Sequence, residues 1–576
     1  MTVFFGCIAL LFIGYFTYGK FVENIFGIEP DRPTPCCQLA DGVDYVQMPT
    51  WRVFFIQLLD IAGLGPVFGP ILAALYGPIA LVWIVLGCIF AGAVHDYFSG
   101  MLSVRDRGAS IPEVVGNYLG MTARQVMRLF SVILLLLVGV VFILGPAKLL
   151  ANLSGMNVQL WVAIIFIYYF LATILPIDKI IGQLYPIFGA LLLFMSVGVM
   201  GGLMFHGYSI LPNLDITTNI HPENLPIWPL IFITLSCGAI SGFHSTQSPL
   251  MARCISNERH GRLVFYGAMI VEGIIALIWA TAGMSFYADA PALQAVIKSG
   301  TPSLVVKEVC TTLLGPVGGA LAILGVVVLP ITSGDTAFRA TRLIIAETLG
   351  MEQKAISKRL LLALPLFAIA FILTQVNFDI IWRYFGWANQ MLSMLMLWAA
   401  ACYLAQQKKL HWICSLPATF MTAVDASFIL QAKIGFNLSA GLSNAAGIGI
   451  ALAILGIFMV YSNRQRSAAQ PPHNPSPPSR NTCPSRALAR PGLFRLQPIA
   501  LWPERGDSEE GFLRPQIGEY SSRPQRAALI LPYHEYPMPS DCEEIIDEYP
   551  QSKKRVPRLS ERKRTLLQRQ YNRPYC

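Results

Sequence analysis

Residues 53–77 read VFFIQLLDIAGLGPVFGPILAALYG. About 20 mostly apolar residues cross roughly 30 Å of hydrocarbon, so this run is long enough to span a bilayer. Yet it carries an acid, Asp60, followed closely by Gly63, Gly65, Pro66, Gly69 and Pro70. Proline removes an amide donor and glycine weakens a helix interior, so the run is expected to break inside the membrane. Non-helical backbone at that depth is tolerated only where protein buries it or where it lines a cavity. A simpler use of the same glycines is close helix packing.

The whole chain has the composition of a polytopic membrane protein. Of its 576 residues 54% are hydrophobic and only 13% charged, against about a quarter charged in soluble domains; mean hydropathy is +0.55. Thirteen spans are predicted, at 3–19, 53–77, 78–98, 129–150, 158–176, 184–206, 228–249, 264–286, 316–334, 360–376, 383–404, 411–431 and 443–461. The first has no basic residue ahead of it and no clear small-residue cleavage site, so it is expected to be a retained helix. Lys and Arg concentrate in the loops 99–128, 250–263, 335–359 and 405–410, whereas 207–227 has none. The positive-inside rule then puts the N-terminus outside and the C-terminus in the cytoplasm.

On that count, span 53–77 and span 228–249 run in opposite directions, five spans apart. The second is also interrupted, by SCGAISGFHSTQSP (236–249). Two broken helices of opposite direction at matching positions are the sequence sign of an inverted-repeat secondary transporter. The chain thus divides into a transmembrane domain, 1–461, with repeat one at about 53–206 and repeat two at about 228–404. A tail at 464–576 holds 17 of the 39 prolines, with 19 Lys/Arg against 12 Asp/Glu, and is expected to be disordered and cytoplasmic.

Breaks expose amide donors at one half-helix end and carbonyls at the other, so the solute is expected near mid-membrane, at Gly63, Gly65, Ser241, His244, Thr246 and Gln247. Ionisable or oxygen-rich residues in spans are costly and usually functional, which makes Asp60, Glu272, Thr332, Ser333 and Asp335 candidates for cation or proton coupling. A plainer task for Asp335 is pairing with Arg339 one turn later. His95 and Asp96, in GAVHDYFSG, close the third predicted span at the cytoplasmic face, either as a gate or proton relay or as interfacial groups tied to the Arg105 loop. Asn389 and Gln390, in RYFGWANQML, are gating or structural polar groups.

No GxxxxGK[ST], HExxH or GxSxG motif occurs, so no enzyme is expected and transport would draw on an ion gradient. The twelve cysteines form neither CxxC pairs nor Cys/His metal spacing. No metal, cofactor or nucleic-acid partner is expected.

Several ordered stretches resemble the carbon starvation protein A (CstA) family of bacterial inner-membrane transporters, looking closest to its shorter members. They are DRPTP (31–35), DGVDYV (41–46), IAGLGPVFGPI (61–71), LYGPIALVWIVLGCIFAGAVHDYFSGMLSVRDRGASIPEVVG (75–116), SGFHSTQSPLMARC (241–254), VEGIIALIWA (271–280), SGDTAFRATRLIIAE (333–347) and RYFGWANQML (383–392). The resemblance implies uptake of peptides or pyruvate when carbon is scarce, coupled to protons or possibly sodium. It also implies an all-α architecture similar to the amino acid–polyamine–organocation (LeuT-like) transporters. The different class to weigh against a symporter is a channel, or a nutrient sensor signalling through its tail.

Overall fold

The computed structural model describes residues 1–467 apart from 43, 175–176, 212–214, 216–217 and 354, with backbone alone described at 173–174, 177–186 and 379. The expected tail therefore lies outside the described residues from 468 onward. Among the described residues all regular structure is helical.

The chain enters through α1 (Thr2–Phe16) and α2 (Tyr18–Phe26), then a single turn, α3 (Pro35–Gln38). The first broken span follows as α4 (Thr50–Ile61) and α5 (Gly65–Ala73). It bends by 47°. Next come α6 (Ile79–Gly87), a π-helical turn at Cys88–Gly92, and α7 (Ala93–Arg105). The amphipathic α8 (Ile111–Leu119) leads into α9 (Met121–Ser154), α10 (Val158–Ile174) and α11 (Ile177–Phe205).

The second half opens on another broken span, α12 (Ile227–Thr234) and α13 (Gly242–Ala252), again followed by a π-helical turn, Arg262–Gly267, before α14 (Ala268–Phe286). The helix α15 (Ala290–Leu349) is interrupted at Thr301 and Gly315. Each precedes a proline, Pro302 or Pro316, whose ring disfavours helical backbone one residue earlier. The described residues close with α16 (Ile356–Leu373), α17 (Phe378–Gln406), α18 (Trp412–Gln431) and α19 (Ala440–Ser467).

Among the described residues each of the thirteen predicted spans falls on helix, two of them across a break. By continuous length and apolarity, however, ten helices among the described residues qualify as crossings, or eleven with the bent α4/α5 pair counted once. The difference comes from α10, with 17 residues, and from the second broken span, whose halves hold 8 and 11. A sequence window counts apolar residues across a break, whereas a helix count stops at it.

The breaks face each other. α5 packs on α14, and α13 packs on α4, α7 and α17. A Cβ placed on Gly65 would lie 2.3 Å from both Cβ and Sγ of Cys237, so only glycine permits this approach. Gly238, with φ +86°, turns the second break in the left-handed region that favours glycine.

Candidate functional site

The unwound segment between α12 and α13 runs from Leu235 to Ser241, shorter than the 236–249 expected; Pro249 sits inside α13 without ending it. Thr246 and Gln247 therefore lie in a helix. Thr246 donates its hydroxyl to Phe243 O at 2.6 Å, and Gln247 Nε2 donates to Thr246 Oγ1 at 2.9 Å.

Unwinding strips backbone groups of helical partners, and α17 replaces them. Asn389 Oδ1 accepts from the Phe243 N–H at 2.6 Å, and its Nδ2 donates to Ser236 O at 2.9 Å. Ser241 Oγ touches both ends of the same amide, at 3.2 and 3.1 Å. Gln390 Nε2 reaches Phe232 O at 2.8 Å. The pair predicted as gating or structural groups thus holds the second break in shape.

The chemical centre is His244. Its Nδ1 lies 2.8 Å from Asp96 Oδ2 and its Nε2 lies 3.2 Å from Glu272 Oε2. Asp96 Oδ1 in turn meets His95 Nδ1 at 2.8 Å. All four side chains are fully buried. Asp96 comes from α7 and Glu272 from α14, the helices that follow the two breaks, and each is entered through a π-helical turn of the kind often found at functional sites.

Ionised carboxylates only accept hydrogen bonds, so a His244 imidazolium satisfies both neighbours at once. With Asp96 and Glu272 ionised and His244 protonated, one negative charge remains. No Lys or Arg forms an ion pair with either carboxylate among the described residues. A buried uncompensated charge is costly, so an array ionised in this way would call for a further proton, on His95 or on a carboxyl group, or for a cation.

This corrects the expected place of His95 and Asp96. They are not at the end of a span: α7 continues to Arg105, and both are enclosed by α13 and its neighbours. Arg105 binds elsewhere, to Glu258 (Nη2–Oε2 3.0 Å), Gly27 O (2.7 Å) and Tyr403 Oη (2.9 Å).

The five candidates for cation or proton coupling lie in different surroundings. Glu272 belongs to His244. Ser333 donates its hydroxyl to Leu59 O at 3.0 Å, tying α15 to α4 beside the buried Asp60, whereas Thr332 donates back to Leu329 O on its own helix at 2.8 Å. Asp335 lies 3.8 Å from Arg339, whose Nη2 donates to Ala172 O at 2.8 Å.

The glycines are not open to a solute in this conformation. Phe142 Cζ lies 2.3 Å from where a Gly63 Cβ would be, and Cys237 fills the space over Gly65. The Phe142 and Phe243 rings meet edge-on at 5.9 Å. A cavity of about 270 Å³ lies instead among Ala74, Pro78, Asp215, Gly283, Asp289 and Leu293, away from His244.

One group at the centre was missed in the sequence. Cys237 Sγ, a His244 ring nitrogen and a Glu272 carboxylate oxygen lie within 4.8 Å of one another. Their spacing along the chain, seven and then twenty-eight residues, matches no motif, and only folding brings them together.

The sequence matches the family described as carbon starvation protein CstA over residues 1–155, 145–313 and 298–427. An uncharacterized membrane protein of Haemophilus influenzae is 48% identical over 356 residues, covering 53% of this chain and 96% of its own length. Peptide transporter CstA of Bacillus subtilis is 25% identical, with 80% and 94% covered. Pyruvate/proton symporter BtsT of Escherichia coli is 24% identical, with 47% of each chain covered. Among solved structures, a manganese transporter of Eremococcus coleocola aligns with a TM-score of 0.48 and 13% identity, over 74% of this chain and 98% of that one.

Proposed function

Because the chain belongs to the carbon starvation protein CstA family, we propose that this multi-pass membrane transporter takes up a small carboxylate such as pyruvate, or a short peptide, by proton symport. Relatives bearing the names peptide transporter and pyruvate/proton symporter support the substrate class. The observation that carries the coupling is the buried Asp96–His244–Glu272 array.

In this reading the array takes up a proton from one side and releases it to the other as one helix bundle rocks against the rest. His244 rides on the half-helix α13 while its acids sit on α7 and α14. Movement of α13 therefore changes which carboxylate shares the proton, and coupling follows from geometry. Opening the solute site requires Phe142 and Cys237 to withdraw from Gly63 and Gly65. A substrate carboxylate would then meet the freed amides at the start of α13, where a half-helix N-terminus favours an anion without a basic side chain. The reading includes a bacterial inner-membrane location during carbon starvation, an outside N-terminus, a cytoplasmic C-terminus and no enzymatic activity.

The test is uptake of labelled pyruvate and of a dipeptide into proteoliposomes under an imposed proton or sodium gradient. Accumulation should follow an inward proton gradient, collapse with a protonophore, and be lost in His244→Gln and Glu272→Gln proteins that remain monodisperse. Absence of accumulation under either gradient, or accumulation driven by sodium alone, overturns the proposal.

A further inference from the structure

We propose that Cys237, His244 and Glu272 form a binding site for a thiophilic divalent transition-metal ion, for which zinc is the probe. A thiolate, an imidazole and a carboxylate are the three donor types that zinc takes, at about 2.3, 2.0–2.1 and 2.0–2.2 Å. In a tetrahedral arrangement such donors stand roughly 3.3–3.8 Å apart, as those bond lengths dictate. Here His244 Nε2 and Glu272 Oε2 are already 3.2 Å apart, and the whole set lies within 4.8 Å. A contraction of about 1 Å at the widest pair completes the three-donor face.

The surroundings fit the same use. A metal-binding histidine ordinarily directs its other ring nitrogen to a carboxylate that fixes its orientation. His244 does so through Nδ1 to Asp96 at 2.8 Å, and Asp96 is itself held by His95 at 2.8 Å. Glu272 Oε2 faces His244 Nε2 at 3.2 Å without the geometry of a hydrogen bond, so its carboxylate is not locked into a competing bond there. Binding converts the Cys237 thiol to a thiolate and takes the Nε2 proton from a His244 imidazolium, and both protons go to the buffer.

The three donors come from the second break, from α13 and from α14, so a bound ion would pin the break to α14. With three protein donors, the fourth position stays open to water or to an exogenous carboxylate. The proposal goes beyond the transport reading and needs no solute movement for its test.

Full-length protein in detergent, stripped with a chelator, is dialysed against zinc and its metal content measured. One equivalent should be retained, and X-ray absorption at the zinc edge should show one sulfur neighbour together with nitrogen and oxygen. Cobalt in place of zinc should give a thiolate-to-metal charge-transfer band that Cys237→Ser abolishes. Asp96→Asn should weaken binding about 10–100-fold while keeping that band. No retained zinc, a shell without sulfur, or a cobalt band that survives Cys237→Ser overturns the site. The absorption measurement uses unmodified protein, so it decides even if the variants misfold. Absence of proton-driven uptake in metal-stripped protein that still takes up one zinc would sink the transport reading alone.

Discussion

Gly65→Ala tests the contact on which the architecture depends, the stacking of the two breaks. The added methyl would lie 2.3 Å from both Cβ and Sγ of Cys237, whereas carbon atoms in contact stand about 3.5–4.0 Å apart. Turning the Cys237 side chain removes the clash with Sγ but not with Cβ, whose position its backbone fixes. One broken span must therefore retreat from the other by more than about 1 Å, on the same contact distances. Overpacking of this kind costs about 1–3 kcal/mol. At about 1.4 kcal/mol per factor of ten, the upper half of that range exceeds a tenfold loss in folding equilibrium. Cys237→Gly deletes both atoms and should restore space specifically. The double variant should then be more stable than the sum of the two single effects, by a coupling of about 0.5–3 kcal/mol expected for residues in contact. The assay is unfolding in mixed micelles, followed by tryptophan fluorescence for the four proteins of the cycle. A Gly65→Ala protein within about 0.5 kcal/mol of the parent, or strict additivity in the cycle, would refute the stacked breaks.

Asn389→Ala removes the partner of the Phe243 N–H and of Ser236 O; at about 0.6 kcal/mol per interhelical hydrogen bond in a bilayer, the loss should be about 1–2 kcal/mol. Hydrogen exchange at Phe243 should accelerate, and unchanged exchange would remove the clamp. Arg105→Ala leaves Glu258, fully buried, without its cation, and should cost about 3–5 kcal/mol; adding Glu258→Ala should recover part of that loss in a double-mutant cycle. Ser333→Ala deletes the 3.0 Å bond to Leu59 O and should lower stability by less than about 1 kcal/mol, as read in the same unfolding assay. Asp425 is fully buried on α18, with neither carboxyl oxygen hydrogen-bonded among the described residues. Asp425→Leu should raise stability by about 1–3 kcal/mol and leave uptake intact, whereas lost uptake in a stable protein would give Asp425 a part in transport.

The breaks were legible because their cause is local. Gly63, Gly65 and Pro66 stand together in the chain, and the interruption they predict falls at 62–64. The second break was located but drawn too long. Pro249 looks like a stop in sequence, yet a proline inside a membrane helix is tolerated when neighbouring groups satisfy the freed backbone. The span count was legible as apolar runs rather than as helices, since a window averages over the very break that divides α12 from α13. The seams at Thr301 and Gly315 follow a local rule, the restriction before proline, which applies equally to a loop and to a helix; only packing made those stretches parts of α15.

The site was legible as a set of polar residues but not as pairs. His244 and Glu272 could be singled out because each is anomalous within an apolar run, a property of one position. That Asp96 belongs with them depends on the packing of α7 against α13 across 148 residues of chain. Local reading instead ended the third predicted span at His95 and Asp96, because a charged pair so near Arg105 resembles an interface. Thr332, Ser333 and Asp335 illustrate the converse. Their oxygen donors suggested cation coupling, yet on a helix neighbouring side chains point to different faces. Thr332 turns its hydroxyl back to Leu329 O on its own helix, Ser333 reaches Leu59 O on α4, and Asp335 approaches Arg339. Three-dimensional placement also explains why an acid follows each break. Each half of the chain sends its next helix past the unwound segment, so Asp96 and Glu272 reach His244 from α7 and α14. A single imidazole on the half-helix α13 thereby meets acids contributed by both halves.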